Sequence, residues 1–517
     1  MILKKIIAEF SLTETCELLA ARYRHSTPAI LDTSMSSVLT KISDYDRSTA
    51  KLTRRFVAYS AKDLFPAFLG VSSLLSRDHV SILEKVSRLT FSESEQPVID
   101  SLLQKGTPLN AYLYCPIDGQ YNTNMAAVLP EAIQWLMDNH FVKSLQDPFL
   151  KKFLDYGFHH LVAKTYRQEN ASHLKLALIN VFLLFLHDDL RDDQQSVVGK
   201  DSVAVSHMND VLRTIFSIVE NLDPEDIDLL EATQHSRIKD AIAPLIKKYS
   251  DIMRSLSPNS GVDEKEFETR VEFEIKYVGL ICNAYLDFAL RLRKETSKEL
   301  FEEYRESMDG YFEANAWEAT NRQGSIVPDL MTYQYRRTHT SAVEPVFRIA
   351  NILRGHLSPR NLLDGLLTSE VDRIQKANLN TTLNLLNSQA IDHIVFVNDV
   401  ASYRREEKDG VVENLIVVYR AQEKDLGDDR ESLLDAVQFA VDLTNATMAE
   451  FVKSATVARA IVHTLFQESK LSSEQVDGIE SYIQVREDWA RGNLGWSVGD
   501  NDTSPTLRYG VERFAPL

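Results

Sequence analysis

The stretch that decides the fold is Ile179–Asp193, INVFLLFLHDDLRDD. Every residue from Ile179 to Leu186 is apolar except Asn180. Such a run, in a chain patterned at three- and four-residue apolar spacing, predicts a helix buried on most sides. That helix then delivers Asp188, Asp189, Asp192 and Asp193. Asp188 and Asp192 are four apart and share a face. Carboxylates at the mouth of an apolar helix form a hard-oxygen site suited to Mg²⁺, which binds through one or two carboxylates plus substrate phosphates. An acidic helix end can also be plain solvated surface, and the apolar lead-in is what argues for the site.

A second stretch, Val397–Glu407 (VNDVASYRREE), follows the apolar Ile394–Val397. Asn398, Ser402 and Glu406 stand at i, i+4 and i+8, which drifts only about 80° around a helix, so they form one polar stripe. An amide oxygen, a hydroxyl and a carboxylate make another cradle for Mg²⁺, of low formal charge. Taken alone, the stripe also fits an ordinary helix surface. Arg405 sits beside it, and a cation next to a metal site makes sense if both hold one anion.

Around these two stretches the chain reads as all-α. Glycine is 18 of 517 residues, about 3.5% against a usual ~7%. With no G-x-G-x-x-G or G-x-x-x-x-G-K-[ST], this argues against Rossmann and P-loop architectures. Length alone suggests about three domains at roughly 150 residues each. Helical patterning is nearly continuous from Pro130, and breaks are expected at 192–201, 221–225, 257–262, 323–328, 355–359, 425–429 and 493–505. The Pro-, Asn- and Tyr-containing stretch 107–123 is the best boundary. The expectation is ten to twelve helices around one core in 111–517, with 1–110 as a helical N-terminal extension.

The net charge is −18. Such a surface repels nucleic acid and anionic membranes. Any anionic ligand must be drawn in by metal ions or a few Arg or Lys residues. Cys16, Cys115 and Cys282 are too scattered for a disulfide framework or a zinc site, which points to a reducing compartment. The N-terminus lacks a signal-like h-region, and the longest apolar run is short of a membrane span. A cytoplasmic location is therefore expected. His159, His160 and His187 read as structural, since no nucleophile arrangement surrounds them.

An aspartate-rich helix end followed by an N-D-x-x-S-x-x-[KR]-E helix resembles the paired metal motifs of class I terpene synthases, of the microbial and marine-invertebrate type. Trp317, Asn321, Arg322 and Pro328 precede Tyr333-Gln-Tyr-Arg-Arg337, similar to the family's segment carrying a diphosphate-sensing arginine. The segment from Trp489 to Trp496 leads to Arg508-Tyr509, similar to its terminal R-Y pair. The likeness covers roughly 116–509. It implies a class I terpenoid synthase bundle around an apolar pocket, holding three Mg²⁺ and an isoprenoid diphosphate. Asp188 would ligate metal with Asp189 and Asp192 in support, and Asn398, Ser402 and Glu406 would hold another ion. Arg337, Arg405, Arg508 and Tyr509 would grip the diphosphate, with Arg336 as the alternative sensor. Thr340 and Ser341 would relay binding to ionisation, although they depart from the family's small glycine-like effector.

Expected pocket walls are Phe182, Phe185, Trp317, Phe396 and Trp496, each of which also fits ordinary core packing. The substrate preference leans to the C20 geranylgeranyl diphosphate and then to farnesyl diphosphate. A homodimer is an allowed assembly. The absence of D-x-D-D argues against a protonation-initiated cyclase. Two alternatives stand: a chain-elongating prenyltransferase, which should carry aspartates where Asn398 and Ser402 stand, and a non-catalytic helical scaffold.

Overall fold

The computed structural model describes residues 113, 115, 117–192, 196–222, 233–257, 263–324, 326–358, 363, 370–408, 411–422 and 430–498. The extension at 1–110 and the Arg508–Tyr509 pair lie outside the described residues. Among the described residues fourteen α-helices follow one another, more than the ten to twelve expected. They are α1 (Met125–Asp138), α2 (Pro148–Asp155), α3 (Phe158–Thr165), α4 (Ala171–Asp192), α5 (Ser202–Glu220), α6 (Thr233–Ser255) and α7 (Glu264–Glu295). Then come α8 (Lys298–Gly324), α9 (Leu330–Thr340), α10 (Val343–Leu353), α11 (Glu370–Lys408), α12 (Leu415–Gln422), α13 (Arg430–Gln467) and α14 (Ser473–Val498).

Side-chain caps start several of these helices. Asp201, Asp263 and Asp329 each accept a backbone N–H three residues on, at 2.8–2.9 Å. Each bond satisfies a donor that the first turn of its helix would otherwise orphan. α7 also places Glu264 and Glu266 in its first turn and Arg293 and Lys294 in its last, matching the helix dipole.

The extra helices come from breaks that composition hides. Gly157, at φ +68°, separates α2 from α3, each only eight residues long. Between α9 and α10 the break falls at Ala342, with φ +58°. An alanine there carries left-handed strain that glycine would not. At the C-terminal end α14 runs to Val498, past the break expected from Asn493.

α4 is the core helix. Ile179–Leu186 is buried apart from the half-buried Phe185, and Asn180 is fully enclosed with its Oδ1 accepting from the Tyr304 hydroxyl at 2.6 Å. By length and composition Ala171–Leu190 is apolar enough to cross a membrane, a property the residue-run count missed; two thirds of it is buried, against α1, α3 and α7. The segment after the aspartates is pinned by Glu274 of α7. Its carboxylate accepts the N–H of Val197 and of Val198, each at 2.9 Å, and the Arg270 guanidinium at 2.9 Å. α11, the long helix opposite, packs along α13 and α14.

α14 also closes tightly on α3. A Cβ on Gly492 would meet Thr165 Cγ2 at 2.6 Å and the Lys164 carbonyl at 2.8 Å. Backbone cannot yield there as a flexible side chain would. Gly492→Ala is expected to destabilise the fold by about 1–3 kcal/mol. Chemical denaturation gives the check, and an unchanged midpoint would contradict this account of the α3–α14 contact.

Candidate functional site

One cavity of about 110 Å³ opens between α3, α4, α8, α9, α10, α11 and α14. It collects residues that lie hundreds of positions apart in the chain. Asp188 from α4, Arg337, Thr340 and Ser341 from the end of α9, and Asn398 from α11 supply its polar lining. Phe185, Val181 and Leu184 of α4, Ile394 and Val395 of α11, and Trp489 and Trp496 of α14 supply apolar wall.

The aromatic expectations divide. Phe185 stacks on Phe158 with ring centroids 4.1 Å apart and lies 6.0 Å from Trp496. Trp496 is fixed by its indole N–H, which donates to the Tyr156 carbonyl at 3.1 Å. Phe182, three residues before Phe185, faces away from the cavity and packs edge-on against Phe153 at 4.5 Å. Phe396 is buried in the core and lines no part of the cavity. Trp317 also stays outside it, under the Arg336 guanidinium at 4.4 Å in a cation–π contact. The walls missed by sequence reading are Tyr311 and Trp489. Tyr311 is held by His187, whose ring bridges its hydroxyl and Asn209 Oδ1, each at 3.1 Å.

Of two adjacent arginines, only Arg337 reaches the cavity, because consecutive helix positions diverge by about 100°. Arg337 Nη2 donates to Asp399 Oδ1 at 3.0 Å. Asp399 is fully buried, and its Oδ2 also accepts the Tyr333 hydroxyl and, at 2.8 Å, the Leu415 N–H. Burial pulls the Arg337 pKa down, but the Asp399 carboxylate, with Tyr333, Glu318 and Glu406 behind it, outweighs that and raises it well above the ordinary value. Burial, then the same carboxylate, keeps the Tyr333 phenol protonated well above its ordinary range.

The metal candidates are spread over two helices. Asp188 is half-buried in the cavity wall. Asp189 is exposed and close enough to Tyr277 of α7 to help raise that phenol, after the larger effect of burial. Asp192 and Arg405 are described as helical backbone. Asn398 lines the cavity, and Ser402 and Glu406 follow it, buried, on the same stripe of α11.

The donor set fits a hard divalent cation. Ser402 Oγ is buried with no hydrogen-bond partner among the described residues, as a hydroxyl meant for a cation would be. Among the described residues no three His, Cys, Asp or Glu side chains cluster closely enough to hold a metal by themselves. A cation would therefore complete its shell with amide and hydroxyl oxygens, water and ligand phosphates, the habit of Mg²⁺.

The Arg337–Asp399 pair makes an asymmetric prediction. Asp399→Ala leaves a largely buried guanidinium unpaired and should cost about 3–5 kcal/mol. Arg337→Ala should cost less, since Asp399 keeps the Tyr333 and Leu415 donors. Urea unfolding of both variants tests this, and equal losses would contradict it.

Comparison with known proteins agrees with this geometry. Residues 262–450 match the family model described as "Terpene synthase family 2, C-terminal metal binding", a span that contains Arg337 and the Asn398–Glu406 stripe. Germacrene A synthase of Nostoc punctiforme is 30% identical over 220 residues, 42% of this chain and 58% of the relative. In several of these curated relatives the matched part is only about half to three-fifths of their length. A 4-epi-cubebol synthase ((2E,6E)-farnesyl diphosphate cyclizing) of Streptosporangium roseum is 21% identical over 75% of this chain and 89% of its own. The crystal structure of a variant of the SVS_A2 protein, from ancestral sequence reconstruction, superimposes with a TM-score of 0.50. That superposition covers 76% of this chain and 92% of the other at 16% identity, a likeness of fold alone. The arginine-bearing helix and the Asn398–Glu406 stripe fall in the stretch 262–450, which is similar to the metal-binding domain of terpene synthase family 2.

Proposed function

We propose that this protein is a Mg²⁺-dependent terpene cyclase. It ionises an acyclic allylic isoprenoid diphosphate, cyclises the cation and releases diphosphate and a terpene. One observation carries the reading: a single cavity has Asp188, Arg337 and Asn398 in its polar lining and Phe185, Trp489 and Trp496 in its apolar wall. That is the polarity of the substrate, a polyanion on an oil tail.

Asp188, with Asp189 and Asp192 in support, would hold metal on α4, and Asn398, Ser402 and Glu406 would hold it on α11, with three Mg²⁺ in all. Bound Mg²⁺ supplies charge neutralisation of the leaving group. Arg337 grips the diphosphate as it departs, where charge develops, and Arg405, Arg508 and Tyr509 join it. Thr340 and Ser341 stand one turn further along and relay that binding. The apolar wall keeps water from the allylic cation, and the faces of Phe185 and Trp496 stabilise positive charge without attacking it. The catalytic domain spans 111–517, with 1–110 as an extension.

For chain length the relatives shift the preference. Two of those matched are described as cyclising (2E,6E)-farnesyl diphosphate. The C15 substrate is therefore the first choice, and C20 the second.

The test uses purified protein, Mg²⁺ and C10, C15 and C20 allylic diphosphates side by side, extracted for volatiles. Terpene from the C15 substrate is expected. No terpene from any of the three would sink the cyclase reading, and diphosphate products that need isopentenyl diphosphate would mark a prenyltransferase. Asp188→Ala and Asn398→Ala should abolish turnover with helicity intact. Arg337→Lys should lower kcat by about 10²–10³, the scale of losing one aligned donor to a developing anion. Arg336→Lys should stay within about tenfold, because Arg336 stacks on Trp317 outside the cavity. The reverse ranking would move the sensor role to Arg336.

A further inference from the structure

We infer that Asn414 is the positioning residue of the Asn398–Ser402–Glu406 site, holding the Glu406 carboxylate in place for a cation; this rests on the metal-site reading above. Asn414 lies outside both recognised motifs, at the start of α12, and is completely buried. Its Nδ2 donates twice, to Glu406 Oε2 and to the Asp399 carbonyl, each at 2.9 Å. Its Oδ1 accepts the Ile416 N–H at 2.9 Å, which settles the orientation of the amide.

Glu406 sits in the last turn of α11, where its side chain has several rotatable bonds and the helix stops at Lys408. Val411 N–H donates to the Glu406 carbonyl at 2.8 Å, and Asn414 stands beside the carboxylate. A neutral amide is the donor such a site needs. It satisfies one lone pair of a buried carboxylate without cancelling the charge, whereas Lys or Arg would compete with the metal. The same segment places Leu415 N–H on Asp399, the partner of Arg337. Residues 414–416 thus tie the ligand stripe and the arginine-bearing helix to one backbone segment. Metal ligands depend on such outer partners, whose loss costs about 10–100-fold in metal affinity.

The experiment uses the full chain and reads thermal stabilisation by Mg²⁺ titrated with inorganic diphosphate, so no turnover is needed. Asn414→Asp keeps the shape and the acceptor for Ile416 but sets an oxygen against Glu406 and the Asp399 carbonyl. It and Asn414→Ala should raise the Mg²⁺ midpoint about 10–100-fold. In a Glu406→Ala background, Asn414→Ala should add no further shift. An unchanged midpoint, or an equal shift in the Glu406→Ala background, overturns the inference. So does failure of both Asn414 variants to fold while Glu406→Ala folds, since that makes Asn414 a scaffold residue. A wild type that Mg²⁺ and diphosphate do not stabilise brings down the metal-site reading itself. A normal wild-type response with unmoved variants removes only Asn414.

Discussion

The arginine side of the cavity is organised around one buried carboxylate. Asp399 has no solvent access and collects a guanidinium and a phenol from α9 and a backbone N–H from α12. A charge in that position is costly unless fully paired. Its neighbours are consequently held where they are: α9 by Arg337 and Tyr333, α12 by Leu415, and α11 by being its own helix. Asn398 precedes Asp399 in sequence, so the geometry that satisfies the carboxylate also aims the cavity-lining amide. The energetic requirement of burying one aspartate and the alignment of a ligand stripe with an arginine are the same constraint.

This constraint explains why the site survives on helices with few special backbone features. The left-handed Ala342 is the exception, and it sits in the cavity wall between α9 and α10. There the chain must turn sharply enough to present Thr340 and Ser341 at the helix end and begin α10 at once. Strain of this kind persists only where the surrounding structure over-determines it. The Arg337–Asp399 pair and the buried face of α10 flank it on either side.

Helix existence and the two polar stretches that reach the cavity were legible in sequence because both are local patterns. Ile179–Leu186 announces burial, and Asn398, Ser402 and Glu406 announce a face. What was not legible depends on rotation and on distant chain. Phe182 and Phe185 are equally apolar and three apart, yet only Phe185 meets the cavity, since which arc of α4 is left unpacked is decided by α3 and α14. Arg336 and Arg337 differ only by one helical step, and Trp317, from α8, takes the first. Asp399 occupied an unread position in its motif because its role is inward, toward Arg337 and Leu415. Asn414 is eight residues beyond Glu406, at the start of another element, so no helical spacing links the two. Gly157 and Ala342 break helices through backbone dihedrals, and an alanine carries no compositional warning of that.

The acidic balance acquires a definite meaning from these positions. Among the described residues, Asp399, Glu318 and Glu406 act on the one lining guanidinium, Arg337, whose charge is already matched by Asp399, and Asp188 lines the same cavity. On the proposed function, a diphosphate approaching such a wall would meet net negative potential, and its binding energy would come with cations that bind the same carboxylates. Phosphate-binding folds that rely on glycine loops present backbone N–H groups and need little such help. A chain with few glycines, which builds its phosphate end from side chains on helix faces, has given up that route. On the proposed function, the scarcity of glycine and the excess of carboxylate are two sides of one design, in which affinity for the anion would be conditional on the metal.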